Sequence, residues 1–162
     1  GIIARFCLAG DLDIYNPSGI SLEDLNKIKK EGYVEILGYQ KNIPDLYSKS
    51  HIICLPSYRE GLPKTLIEAA AASRAVVTTD VPGCRDSIIP NKTGLLVPVK
   101  NSKKLANALQ RLIENPKERI AMGKAGRKLA EKEFSIEKIV LSHIEIYKKL
   151  ISRDYNFEND SK

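Results

Sequence analysis

Short apolar segments alternate with amphipathic segments over the first two thirds of the chain, and this alternation constrains the fold more than any other sequence feature. The apolar segments are predicted to be strands, at 4–9, 34–37, 52–55, 75–79 and 95–97. Helical patterns lie between them, including one that Ser21 caps and Gly32 ends. Near-continuous apolar strands alternating with helices are typical of a parallel sheet covered by helices on both faces. The predicted fold class is therefore α/β.

From Ser102 onward the pattern is purely helical, and the last predicted helix starts after Ser135. Apolar side chains recur at helical spacing from Ile136 to Ile151 and give this helix a broad apolar face. Residues 153–162 are polar. We therefore predict one folded domain at 1–152 and a disordered tail at 153–162.

Composition excludes several classes of protein. A chain of 162 residues with 43% apolar and 28% charged side chains has the ordinary mix of a globular protein with a core. No apolar run is long enough to cross a bilayer. The chain starts at Gly1, without a methionine and without the pattern of a signal peptide, and we expect an N-terminally incomplete protein.

Three widely spaced cysteines, Cys7, Cys54 and Cys84, argue against a disulfide framework or a zinc site. A reducing cytoplasm is the expected location. Cys7 and Cys54 lie in apolar segments and are expected to be small core residues. No spacing of potential ligands predicts a metal site.

The positive charge is concentrated in the C-terminal part. Basic and acidic residues balance over residues 1–99, so the net charge of +6 comes from Lys100 onward. A basic helical region favours a polyanionic neighbour such as an anionic membrane surface or a phosphorylated ligand. A solvated, lysine-rich helix face explains the same pattern without function.

The connection after the third predicted strand contains the best candidate ligand site, because open parallel sheets bind ligands at the carboxyl ends of their strands. Gly61 allows close backbone approach to a ligand, and Pro63 suits a first helical turn. The N–H groups of Lys64 and Thr65 then face outward at the positive end of the helix dipole. Such a turn is an anion site, and a diphosphate would suit it.

Two carboxylates frame this connection. Glu60 precedes the predicted helix, and Glu68 lies within it. Each carboxylate can accept hydrogen bonds from the paired hydroxyls of a sugar or ribose. A surface ion pair between Lys64 and Glu68, four residues apart, would equally explain Glu68.

The wider sequence resembles one enzyme family. The segment Pro56–Ala69, with two glutamates separated by seven residues, closely resembles the donor-site motif of the group one retaining glycosyltransferases with the GT-B fold. Further segments follow the family order from about Phe6 to about Leu150. They are Leu37-Gly38-Tyr39, Ile52–Ser57, Ala75–Thr79, Pro82–Arg85 and Gly94–Val97.

The resemblance implies a Rossmann-like, C-terminal half of a GT-B fold that binds a nucleoside diphosphate sugar, with a UDP-sugar preferred. It implies that Glu60, the expected catalytic residue, contacts the donor sugar near its anomeric centre, and that Glu68 holds the ribose hydroxyls. The phosphates would be received by the segment Gly61, Leu62, Pro63, Lys64 and Thr65. Gly38 and Tyr39 would flank the base, and Ser57 belongs to the same donor site.

The resemblance also implies what surrounds this domain. The acceptor would be a saccharide, a lipid-linked sugar or a polysaccharide precursor, bound by an N-terminal domain that is absent here. The family's domain opens with an earlier strand and a loop whose arginine and lysine grip the phosphates; this chain begins after them. We therefore expect the isolated chain to bind donor but to transfer sugar poorly, without a metal or other cofactor. The enzyme is expected in the cytoplasm, either free or as a peripheral protein on the inner face of the plasma membrane.

Three alternatives remain at the sequence level. A nucleotide-sugar epimerase of GT-B architecture would bind the same donor. The second is a non-catalytic module, either one that binds a nucleotide or a signalling receiver, and the receiver would need an aspartate at the end of the third strand, where Cys54-Leu55-Pro56-Ser57 stands. Nucleic-acid binding by the basic helices lacks interleaved aromatics and a known motif, and is not expected.

Overall fold

The computed structural model describes residues 3–13, 15 and 19–159. The chain divides into two compact units, residues 1–51 and residues 52–162. All strand pairings are parallel, and all five predicted strands are present. They are hydrogen bonded into two separate sheets, one of two strands and one of three.

The first unit contains two strands and two helices, and its helix ends follow from local sequence. Its elements are β1 (Phe6–Ala9), α1 (Leu22–Glu31), β2 (Val34–Gly38) and α2 (Ile43–Lys49). The hydroxyl of Ser21 accepts the N–H of Asp24 at 3.0 Å, and Gly32 ends α1 in the left-handed conformation at φ 73°. The predicted cap and stop of α1 are therefore confirmed.

The second unit contains the three-stranded sheet, in the order β3-β4-β5. Its strands are β3 (Ile52–Leu55), β4 (Ala75–Thr79) and β5 (Gly94–Val97), and β4 lies in the centre. Its helices are α3 (Lys64–Ala71), α4 (Pro82–Asp86), α5 (Ser102–Glu114), α6 (Pro116–Glu133) and α7 (Ile136–Asn159).

Alternating side chains of β4 pack on opposite faces of this sheet. Val77 belongs to a cluster with Leu112 of α5 and Met122 of α6. Val76 belongs to a second cluster with Leu66 of α3. Because neighbouring strand residues point to opposite faces, helices cover both faces of the sheet, as predicted.

Helix α6 packs closely against α3 and the turn that follows it. A Cβ atom at Gly123 would overlap the carbonyl oxygen of Ser73, and one at Gly126 would touch Ala70 at 3.5 Å. Arg127 donates to the carbonyl of Ala71. These contacts hold the C-terminal half of α3 against α6, and this packing helps to fix the position of the first turn of α3.

Helix α7 is longer than the sequence predicts. It continues to Asn159, so residues 153–159 extend the helix where a disordered tail is predicted, while residues 160–162 lie outside the described residues. No proline or glycine interrupts this stretch, which explains the continuation. The apolar face is exposed, with Ile136 and Ile151 at 75% and 68%. Within the described residues, no helix is long and apolar enough to span a bilayer.

The expectation for two cysteines is wrong. Cys7 and Cys54 are exposed, whereas Cys84 is buried in the cluster around Leu66. Apolar neighbours along a strand do not reveal whether that strand borders solvent. Although part of the Cys54 residue is accessible, the surrounding protein removes much of the water around its thiol. This desolvation disfavours the thiolate and raises the pKa of Cys54 to about 11.

Candidate functional site

The connection between β3 and α3 is held in place by threonines of β4. Thr78 donates its hydroxyl to the carbonyl of Leu55 at 2.8 Å, and Thr79 donates to the carbonyl of Ser57. Thr79 is only 3% exposed. The start of the connection is therefore tied to the central strand of the sheet.

Glu60 is oriented within the same connection. The hydroxyl of Ser57 donates to Oε1 of Glu60 at 2.7 Å, and both residues are half-buried. A hydrogen bond to a carboxylate is stronger than one between neutral groups. One carboxylate oxygen of Glu60 is thus held by protein, at the carboxyl edge of a parallel sheet.

Two glycines differ in what they do for this connection. A Cβ atom at Gly83, on α4, would overlap the carbonyl oxygen of Gly61 and lie 2.6 Å from that of Glu60. At Gly61, no described atom lies within 4 Å of the position that a Cβ atom would take, and φ is outside the left-handed range. Gly83 is therefore required by packing, whereas nothing among the described residues requires glycine at position 61.

The first turn of α3 is left without the groups that usually complete a helix. Pro63 is its N-cap and is buried; Pro63 provides no side-chain cap, and the first turn has no acid. Side-chain oxygens of Ser21, Asn42 and Asn101 cap α1, α2 and α5, whereas the N-cap residues of α4 and α6, like that of α3, form no side-chain cap. The positive end of the α3 dipole is therefore not neutralised by a capping side chain, and it suits an anion.

Glu68 lies one turn into α3 and pairs with Lys64. The distance between Nζ of Lys64 and Oε1 of Glu68 is 3.4 Å, and their side chains are 87% and 37% exposed. The ion pair that the sequence offers as an alternative explanation is thus present. An exposed pair of this kind contributes only a few tenths of a kcal/mol, so it leaves Glu68 able to bind a ligand.

Gly38 and Tyr39 belong to the first unit. Gly38 has φ 64°, and the N–H of Tyr39 donates to Oδ1 of Asp11 at 3.0 Å. The Tyr39 ring is 69% exposed. Asp11 and Gly10 follow β1, so the ends of β1 and β2 are tied together by hydrogen bonds, including one from the N–H of Gly10 to the carbonyl of Gly38 at 2.9 Å.

The predicted site residues therefore fall into two groups. The connection and the first two turns of α3 contain Ser57, Glu60, Gly61, Leu62, Pro63, Lys64, Thr65 and Glu68. Gly38 and Tyr39 lie in the other unit. No residue was predicted to orient Glu60 from outside its own segment, and the contributions of Thr79 and Gly83 were missed.

A cavity of about 390 Å³ lies beside the connection, at the carboxyl ends of all three strands of the second unit. It is lined by Pro56, Tyr58, Thr79, Val97, Pro98, Lys100, Asn101, Ser102 and Leu105. The Nζ atom of Lys100 lies 5.7 Å from the centroid of the Tyr58 ring. The sequence does not predict this cavity, because its lining residues follow three different strands and no fixed sequence spacing relates them.

Comparison with known proteins identifies the family. Residues 4–129 match the sequence model of the family described as "Glycosyl transferases group 1". The chain belongs to this family. The predicted resemblance to group one glycosyltransferases is therefore confirmed.

The most informative curated relatives of this group 1 chain are bacterial transferases. It is 39% identical over 121 residues to the N,N'-diacetylbacillosaminyl-diphospho-undecaprenol alpha-1,3-N-acetylgalactosaminyltransferase of Campylobacter jejuni, covering 75% of this chain and 31% of that protein. It is 30% identical over 123 residues to the capsular polysaccharide biosynthesis glycosyltransferase CapM of Staphylococcus aureus, covering 71% and 32%. The chain thus spans about a third of the length of these relatives.

Solved structures confirm the fold class. Sucrose-phosphate synthase from Thermosynechococcus elongatus superposes with a TM-score of 0.82 at 30% identity, covering 92% of this chain and 39% of that one. The C-terminal domain of a group 1 family protein from Francisella tularensis superposes with a TM-score of 0.63 at 28% identity, covering 70% and 62%. Anabaena HepE, solved with UDP, gives 0.82 at 21% identity over 90% and 41%, and supports the fold alone. The chain has the Rossmann-like fold of the C-terminal half of GT-B enzymes.

Proposed function

We propose that this chain binds the nucleoside diphosphate sugar in a retaining sugar transfer, with the β3–α3 connection as the donor site. The observation that carries this proposal is the first turn of α3, which its N-cap Pro63 leaves without a side-chain cap, together with the carboxylate of Glu60, which lies in the preceding connection and is already oriented. An anion site and a hydroxyl acceptor are thus proposed within one short connection. A nucleoside diphosphate sugar presents a diphosphate next to a ring of hydroxyls, so it matches both.

The diphosphate is assigned to the segment Gly61–Thr65. Phosphate oxygens accept backbone N–H groups at a helix N-terminus, and the helix dipole favours their charge. The open space at Gly61 supports this assignment, since a ligand can approach the backbone there. Departure of the nucleoside diphosphate increases the charge on its phosphates, so donors preorganised around it lower the barrier to transfer.

The two carboxylates are assigned to hydroxyl groups of the donor. Glu60 contacts the sugar near its anomeric centre, and Glu68 accepts hydrogen bonds from the ribose hydroxyls. Each carboxylate has two oxygens and can accept a pair of hydroxyls. The 37% exposure of Glu68 leaves room for such a ligand beside its pair with Lys64.

Gly38 and Tyr39 remain our proposal for the residues that flank the base, with the exposed Tyr39 ring stacking on it. UDP is the proposed nucleotide, since solved neighbours of this fold were crystallised with UDP and with UDP-glucose. The chemistry needs no metal in this scheme, because helix N–H groups and basic side chains offset the phosphate charge.

The acceptor is proposed to be a saccharide or lipid-linked sugar bound by another part of the enzyme. The Campylobacter relative is named for an undecaprenol-linked acceptor and the Staphylococcus relative for capsular polysaccharide biosynthesis, and both names support this class.

The basic residues from Lys100 onward suit an anionic membrane surface. Co-sedimentation with anionic liposomes tests whether the protein binds such a surface. The chain alone binds donor but transfers sugar poorly, and a turnover assay tests that.

Calorimetry with UDP, GDP and ADP against the chain tests the donor site. We expect one of the three to bind, and we expect Glu68→Gln to weaken binding by about tenfold or more, because hydrogen bonds from the ribose hydroxyls to a charged group are lost. Glu131→Gln is the matched control, since Glu131 forms the same kind of i,i+4 ion pair, with Arg127 at 2.7 Å. Failure of all three nucleotides to bind at millimolar concentration would overturn the proposal, as would equal losses in the two variants.

A further inference from the structure

A chain of two hydrogen bonds links the centre of the second unit's sheet to the carboxylate of Glu60. Thr79, on the central strand, donates to the carbonyl of Ser57, and Ser57 donates its hydroxyl to Oε1 of Glu60. Thr79 is nearly inaccessible to solvent, so the first of these bonds is sheltered from competition by water. The second bond uses the only hydroxyl that Ser57 has.

We propose that Ser57 and Thr79 are positioning residues that fix the rotamer of Glu60 for the donor sugar. This inference rests on the proposed function, and it changes the role of Ser57 from a donor contact to a support for one. The Ser57 hydroxyl donates its hydrogen bond to one oxygen of the Glu60 carboxylate, so the other oxygen can accept a hydrogen bond from the ligand. The carboxylate is therefore set in place before the sugar arrives.

Gly83 packs against a later part of the same segment. Its missing side chain lets the first turn of α4 lie directly against the carbonyls of Glu60 and Gly61. The segment is thus pinned at two points, by Thr79 before Glu60 and by Gly83 at and after it. Such double support keeps a binding group close to its productive geometry.

The two hydrogen bonds, from Thr79 to Ser57 and from Ser57 to Glu60, are called the relay below. Removing the hydroxyl groups that donate them tests the relay. Ser57→Ala and Thr79→Val remove one hydrogen bond each, while Ser57→Thr and Thr79→Ser keep the hydroxyl and serve as conservative rescues. Thr78→Val is a matched control, because Thr78 is buried in the same strand and donates to Leu55 rather than to Ser57. If the relay positions Glu60, the two disruptive variants impair the binding of the sugar moiety, and the control lowers only stability.

Affinity for UDP and for UDP-glucose, UDP-N-acetylglucosamine and UDP-N-acetylgalactosamine is measured by calorimetry. We expect the preference for the best UDP-sugar over UDP to fall by roughly tenfold to a hundredfold in Ser57→Ala, with affinity for UDP itself unchanged. Ser57→Thr should restore the preference. An undiminished preference in both Ser57→Ala and Thr79→Val would overturn the relay while leaving the donor site intact.

A ligand-free measurement separates the two proposals. In crystal structures of Ser57→Ala and Thr79→Val we expect the Glu60 carboxylate to leave its wild-type position, and in Thr78→Val to keep it. A Glu60 side chain unmoved in both disruptive variants rejects the relay, whatever the nucleotide measurements give. Absence of binding of UDP, GDP and ADP to the wild-type chain, with Glu60 displaced in these variants, rejects the donor site and not the relay.

Discussion

The two sheets of this protein use the same parallel pairing, but they differ in how far they bury their strands. Every residue of β4 is buried, between strands on both sides and helices on both faces. In the first unit no residue of β1, β2 or α1 is fully buried. Two strands alone cannot enclose a core, so we expect the strand flanked on both sides to contribute more of the stability.

The glycines of the two units repeat this difference. Gly10, Gly32 and Gly38 all have positive φ, and a Cβ atom at the first two would meet no described atom within 4 Å. At Gly83, Gly94 and Gly123 the torsion is ordinary, but a Cβ atom would overlap backbone. The first unit thus needs glycine for backbone conformation, and the second needs it for close packing.

The largest expected difference between the units comes from truncating a core leucine. Leu112→Ala should lower the free energy of unfolding by about 2–5 kcal/mol, because Leu112 is fully buried and its removal leaves a cavity. Leu25→Ala, at a half-buried position of α1, should lower it by less than about 1 kcal/mol. Urea unfolding followed by circular dichroism measures both, and similar losses would contradict the comparison.

A smaller difference should separate two glycine substitutions. Gly83→Ala forces its new methyl group into backbone, and we expect a loss of about 1–3 kcal/mol. Gly32→Ala has room but strains a left-handed residue, with a loss of about 1 kcal/mol. Gly32→Asn should recover part of that loss, because asparagine tolerates this conformation. Thermal unfolding of the three variants checks the order; a harmless Gly83→Ala would show that α4 can move away from Gly61.

The smallest effect concerns cysteine labelling and leaves stability unchanged. Exposed Cys7, in the first unit, should react with iodoacetamide in the native state, whereas buried Cys84 should react only on unfolding. Cys54 should react slowly at pH 8, because a pKa raised to about 11 keeps most of its thiol protonated. Its rate should keep rising between pH 8 and pH 11. Mass spectrometry of timed samples follows each cysteine, and a rate for Cys54 that levels off near pH 8 would contradict this assignment.

Local signals made much of the fold predictable. Ser21 and Gly32 correctly predicted the two ends of α1, and the alternating apolar segments predicted all five strands. Helix α4 was missed, because a five-residue helix that contains proline and glycine has no periodicity to detect. Helix α7 was cut short, because polar composition does not by itself end a helix.

The candidate site was predictable only where its residues are close in sequence. The spacing of Glu60 and Glu68 and the position of Pro63 can be recognised in a short segment. The partner of Ser57 is Thr79, 22 residues away, and no spacing rule connects a strand threonine to a loop carbonyl. Such contacts depend on register between strands, which the sequence of one strand does not specify.

The open space around Gly61 has a consequence for how substitutions at that position would be tolerated. A mutational scan selected only for soluble, folded protein should accept alanine or serine there almost freely, since no neighbour resists them. The same scan selected for sugar transfer in the complete enzyme should return glycine. Substitutions at position 61 that the first selection accepts and the second rejects would then show that glycine is required there by the ligand and not by the fold.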